Sequence, residues 1–129
     1  MCLYSSKENA NIAEEDIVCY KVLYQPYIFV KHYLTPYQYI EISNDIIDGK
    51  SYFIAKGEGN VIYDDKSRKY LVTDGYIHTY ANLNMAEESL YLTANMVIFK
   101  CIIPKGTKFY VGWREDYASE KIKFIKKIG

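Results

Sequence analysis

The sequence predicts a β-rich α+β domain, mostly antiparallel sheet, with one short helix near residues 84–94 and a C-terminal three-stranded meander. Three observations carry this prediction. In MVIFKCII, 96–103, Val97, Phe99, Cys101 and Ile103 fall on one side of an extended chain and Ile98, Lys100 and Ile102 on the other. Fifteen tyrosines among 129 residues favour half-buried strands, since Tyr combines an apolar body with a polar tip. Short apolar runs are also cut repeatedly by turn residues, at Pro26, Thr35-Pro36, Asp48-Gly49, Asp74-Gly75 and Pro104-Lys105-Gly106.

Taken in order, residues 1–15 are polar after Leu3-Tyr4 and are expected to form a loosely held arm; residues 16–129 form the single globular domain. DIVCYKVLY, 16–24, alternates with both faces largely apolar, so it is expected to be a central strand ended by Pro26. Residues 27–34 form another extended run. Gln38 to Ile42 and Ser51 to Ala55 flank the loop NDIIDGK, and KGEGN, 56–60, is a flexible loop. VIY then makes a short strand, DDKSRK an exposed connection, and Tyr70 to Tyr80 a strand, an Asp74-Gly75 turn and a second strand. In the helix Asn84 is the expected cap with Glu87 three residues on, Ala86 and Leu90 share a face, and Asn95 stops it. Pro104-Lys105-Gly106 fits a three-residue hairpin loop with glycine in the left-handed position. Phe109, Val111 and Trp113 follow on one face; Arg114-Glu115-Asp116 is a polar break; Ile122 and Phe124 alternate with Lys121 and Lys123.

Net charge is zero but unevenly spread: residues 1–99 hold 8 Lys/Arg against 13 Asp/Glu, and residues 100–129 hold 8 against 3. The basic strands either face solvent or meet an anionic partner, such as a nucleotide, at Arg114, Lys121 and Lys123. No run of adjacent basic residues argues for nucleic acid. The three cysteines, with no CxxC pair, are expected to be free thiols in a reducing cytoplasm. There is no apolar signal core or run of eighteen apolar residues, so no membrane span is expected. The two histidines lack a third ligand at metal spacing, and no phosphate loop, GxSxG or HExxH occurs, so neither metal nor cofactor is implied. An exposed edge strand allows a homo-oligomer.

Three places hold candidate chemistry. Removal of Met1 would expose Cys2 as a thiol nucleophile with its own amine as base. In GYIHTYA, 75–81, His78 shares a face with Tyr76, either as an acid/base or anion-binding group or as a histidine bonded between strands. Trp113, after Gly112, offers a stacking platform or a core contact.

Four stretches, MCLYS with DIVCYKVL, LTPYQYIEI, GYIHTYANLNMAEE and CIIPKGTKFYVGWREDYASEKIKFI, together resemble small uncharacterised proteins of gut Bacteroidales genomes and their phages and mobile elements. That resemblance implies provenance alone, a bacterial cytoplasm; the uneven charge, the excess of tyrosine and the lack of catalytic motifs point to a small non-enzymatic module that binds a host protein or an anionic small molecule. The chain is also similar, more distantly, to mono-ADP-ribosyltransferases: Lys21 in CYKVL, Thr79 and Tyr80 in GYIHTYA, and Glu120 in YASEKIKF stand where those enzymes place an Arg or His, a Ser-Thr-Ser or Tyr motif, and a Glu. This second resemblance implies an NAD-binding enzyme acting through Tyr80 and Glu120.

Overall fold

A computed structural model describes residues 3–7, 9–27, 29–36, 40–55, 61–72, 75–89 and 95–128. The elements run β1 (Leu3–Ser5), β2 (Asn11–Ile12), β3 (Ile17–Tyr24), β4 (Tyr33–Leu34), β5 (Glu41–Ile42), α1 (Asn44–Ile47), β6 (Phe53–Ile54), β7 (Val61–Asp64), β8 (Lys69–Val72), β9 (Ile77–Tyr80), α2 (Leu83–Glu88), β10 (Met96–Ile103), β11 (Lys108–Val111), β12 (Asp116–Ser119) and β13 (Lys121–Lys127). Every strand pair is antiparallel. A small sheet has the order β1-β8-β7; the large one runs β2-β11-β12-β9-β3-β10-β13-β6, with β4 and β5 added at the end of β3.

The two longest strands make the spine. β3 and β10 pair from Met96 opposite Tyr24 to Ile103 opposite Ile17. The period of two then puts Cys19, Lys21 and Leu23 beside Cys101, Phe99 and Val97 on one face, and Val18, Tyr20 and Val22 beside Ile102, Lys100 and Ile98 on the other.

The large sheet has to curl. β12 and β13 are separated in the sheet by β9, β3 and β10, which in a flat sheet would set them about 19 Å apart. Only Glu120 lies between them in sequence, and two peptide units span at most about 7 Å. Residues 116–127 therefore act as one bent ribbon that draws the two halves of the sheet around a common interior. Leu23, Cys101, Ile103, Ile122 and Phe124 are sealed there, with Phe99 meeting Tyr33 and Phe124 edge-on at 5.1 and 5.4 Å. The outer face is covered by two separate clusters. Leu3 and Val72 of the small sheet pack on Tyr110 and Ala118, and Ala86 of α2 packs on Val22 and Ile98.

The β-rich antiparallel α+β class is as the sequence predicts, and β3 is central. The C-terminal segments are antiparallel strands, but they are not joined as a consecutive meander. β10 lies between β3 and β13, and β11 between β2 and β12. The Pro104–Thr107 corner does turn, with the Thr107 amide donating to the Pro104 carbonyl at 3.1 Å and Gly106 at φ 86°. Its edges, however, are taken by the preceding arm, because Gly106 donates to Ala13 and Ala13 to Thr107. β11 is thus led away from β10 towards β2. The polar break is followed by an additional strand, β12, and residues 70–72 and 77–80 pair with different neighbours rather than with each other.

Residues 3–5 and 11–12, expected in a loose arm, are hydrogen-bonded into the two sheets, with Leu3, Ser5 and Ala13 buried. The NDIIDGK loop contains the one-turn helix α1, which buries Ile47, and its Gly49 is left-handed at φ 77°. α2 is capped by Asn82 rather than Asn84: the Asn82 side chain accepts from the Met85 amide at 3.0 Å. Asn95 is left-handed at φ 67°. The expectations for KGEGN, Asp74, Leu90, Gln38 and Cys2 lie outside the described residues.

Candidate functional site

The loop between β11 and β12 carries the chain's single tryptophan. It is closed by the Gly112 amide donating to the Asp116 carbonyl at 2.8 Å, and Glu115 is left-handed at φ 57°. Neighbouring elements then pin it. Ala81 donates to the Glu115 carbonyl at 2.7 Å, and the Asn82 side chain donates to the Glu115 carboxylate. On the opposite side the Trp113 amide donates to Tyr4 of β1 at 3.1 Å. A side chain at position 112 would collide with the Asp116 carboxylate, so the close return of this loop requires glycine.

Asp116 is the buried anchor. Its Oδ2 lies 2.8 Å from His78 Nε2, while Oδ1 has no partner among the described residues. Burial pushes the His78 pKa below its ordinary value, with the Asp116 hydrogen bond opposing that shift and Lys21 reinforcing it. A neutral imidazole meets the carboxylate as the Nε2–H tautomer. The Tyr80 ring meets the imidazole edge-on at 4.8 Å.

Above this anchor Trp113 is 58% exposed. Lys69 Nζ lies 5.0 Å and Arg114 Cζ 4.9 Å from the centre of its rings. The indole borders a cleft of about 240 Å³ lined by Ser5, Ser6, Lys7, Asn11, Lys69 and Gly112, with Val111 beside it. Lys7 Nζ donates to Asn11 at 3.3 Å across the arm. The site thus offers an aromatic face, three cations and small polar side chains. Cation–π contacts at exposed positions contribute about 0.5–1 kcal/mol, whereas hydrogen bonds to charged groups contribute about 1.5–3 kcal/mol. An anion entering the cleft can therefore draw Lys69 and Arg114 off the ring.

The other residues singled out in the sequence are dispersed. Lys21 lies on the inner face of β3, 8% exposed, with Nζ donating to the His78 carbonyl at 2.9 Å. Burial lowers its pKa to about 8. Its neighbours Cys19 and Cys101 are free thiols; burial pushes the Cys19 thiol up to about 12 and Cys101 also upward. Lys121 reaches over the Tyr52 ring at 5.0 Å on the β13–β6 side, and neither it nor Lys123 lines the cleft. Tyr80 pairs with Asp116 and Ile77 with Ser119, so Tyr80 and Glu120 stand at opposite ends of the β9–β12 pair. Lys21 and His78 lie on opposite faces of the sheet, and Glu120 is exposed at the ribbon's bend. The structure does not assemble these residues into one site.

Lys7, Asn11 and Lys69 were missed because each sits in a stretch read as polar surface. The available signal was Leu3 and Ala13, apolar residues whose burial holds the arm in place. Asp116 was missed because a polar break was its simplest reading. Among the described residues no cluster could hold a metal ion, and no helix is long and apolar enough to cross a membrane. Comparison with protein-family models, with curated proteins and with solved structures finds no match to this chain.

Proposed function

We propose that this chain is a small binding module for an anionic molecule with a planar ring, a nucleotide being the simplest example, held in the cleft beside Trp113. The observation that carries the reading is the half-exposed indole flanked by Lys69 and Arg114 at the mouth of a cleft lined by Ser5, Lys7 and Asn11. The ring stacks on Trp113 while the phosphate takes the cations and hydroxyls. The resemblance to Bacteroidales phage and mobile-element proteins adds a bacterial cytoplasm as the setting.

Trp113 is the only tryptophan, so its fluorescence reports this site alone. Titration with AMP, ADP and inorganic phosphate should change its emission saturably. Lys69→Gln and Arg114→Gln should each weaken AMP binding by about tenfold, the effect of losing roughly 1.4 kcal/mol. An unchanged emission throughout the nucleotide series, in protein shown to be folded, rules the proposal out.

A second reading, contact with a host protein, is favoured by the turn after β3. Tyr27, Phe29 and Val30 are exposed there, Phe29 at 99%, although the turn is held by Val30 donating to Tyr27 and by the Gln25 side chain donating to the Val30 carbonyl. A fixed apolar tip suits a pocket on a partner. Loss of a purified partner's binding in Phe29→Ser, with thermal stability unchanged, would support it; equal binding by the variant would remove it.

A further inference from the structure

The outer face of β10 and β13 is a second basic surface, separate from the cleft. Lys100 lies directly opposite Lys126, and Lys123 opposite Ile102. Lys121 is two residues before Lys123 and so shares its face. Like charges set directly across an antiparallel pair are destabilising, and this pair has no acid beside it: β3, β10 and β13 contain no Asp or Glu. Among the described residues none of these four lysines is ion-paired. A local arrangement that opposes stability with no structural offset marks a functional surface.

The register continues onto β3. Tyr20, Lys100 and Lys126 form one row across three strands, and Val18, Ile102 and Lys123 form the next. Each row is aromatic or apolar on the β3 side and cationic on the β13 side. Val18 is 45% exposed; α2 covers the Val22–Ile98 end of this face, and Tyr20, half-buried, packs against that cluster at its margin. We propose that this face binds single-stranded nucleic acid, with the phosphate backbone along the β13 lysines and the bases against Tyr20, Val18 and Ile102. A single strand fits both halves of each row, whereas a duplex offers its phosphates but keeps its bases stacked away from the apolar half.

The test is fluorescence anisotropy of a labelled oligothymidylate about 15 nucleotides long, with a duplex of equal length and phosphatidylserine vesicles as the other arms. For about four ionic contacts on a single strand, log affinity should fall with log salt at a slope near −3. The double variant Lys100→Gln/Lys126→Gln should lose about tenfold in affinity and roughly half the slope, without loss of thermal stability. Lys66→Gln, in the distant β7–β8 turn, should bind like the parent. Saturating AMP should leave oligonucleotide binding intact, so this surface and the Trp113 cleft are judged independently. No binding at low salt, equal loss in Lys66→Gln, preference for the duplex, binding to vesicles in place of the oligonucleotide, or full competition by AMP overturns the proposal. The salt slope of the unmodified protein serves the same purpose should the double variant fail to fold.

Discussion

Two buried titratable groups lie on opposite faces of the neighbouring strands β3 and β9, and they are treated differently. His78, on the outer face, has a carboxylate 2.8 Å away and a ring packed edge-on. Lys21, on the inner face, has among the described residues one carbonyl, that of His78 itself, and two thiols whose burial favours their neutral form. The paired group fixes a loop; the poorly paired one carries a desolvation cost that its single hydrogen bond does not offset. Burial alone therefore says little about a polar group's contribution to stability: the partners decide its sign.

That contrast is sharpest if each group loses its chemistry. Asp116→Ala should cost about 2–3 kcal/mol, because it strips His78 of its charged partner and removes the carboxylate packed against Gly112 at the base of the Trp113 loop. Urea unfolding would measure the cost, and a red-shifted Trp113 emission would report the loosened loop. A change below about 0.5 kcal/mol, the range of ordinary surface substitutions, would break the comparison. Lys21→Met should move stability the other way, upward by about 1–3 kcal/mol, as apolar replacements of buried charges often do.

The pH dependence follows from the same pair. Lys21 has its pKa lowered from 10.5 to about 8 in the folded chain, so between those values the unfolded chain binds more protons. Relative to Lys21→Met, the parent should thus gain stability as pH rises from about 8 to 10.5, by on the order of 3 kcal/mol. The full penalty is present below the folded value. A flat difference between the two proteins over that window would show Lys21 to be well solvated. His78 also has its pKa lowered, so the unfolded chain takes up its proton first as pH falls through 6.5. Stability should decline below that point, and His78→Gln should flatten the decline; an identical acid limb in both proteins would remove His78 from the account. The smallest effect is expected at Phe29→Ser, within about 0.5 kcal/mol, since that ring is 99% exposed.

Part of this was legible in the sequence. DIVCYKVLY and MVIFKCII declare both their strand character and their two faces, and the left-handed glycine of the Pro104–Thr107 corner follows from turn chemistry. For Trp113 the sequence left a stacking platform and a core contact open, and its 58% exposure removes the core contact. Lys21 could be assigned to an alternating strand but not to its sealed interior, because that depends on which neighbours cover the face. Of the basic face, Lys121 and Lys123 were legible as alternating strand residues, but the row of Lys100 and Lys126 was not, because those two are far apart in the chain and meet only through strand pairing.

Sequence by itself determined the local chemistry: where the chain is extended, where it turns, and which side chains alternate. Tertiary structure decided the partners. A strand edge offers the same amide and carbonyl groups to any neighbour, so β10 had no local reason to prefer β13 over β11. The choice was made by distant contacts, namely the arm docking at Ala13 and the bend at Glu120 that curls the sheet. Those same contacts bring Ser5, Lys7, Lys69 and Trp113 to one cleft.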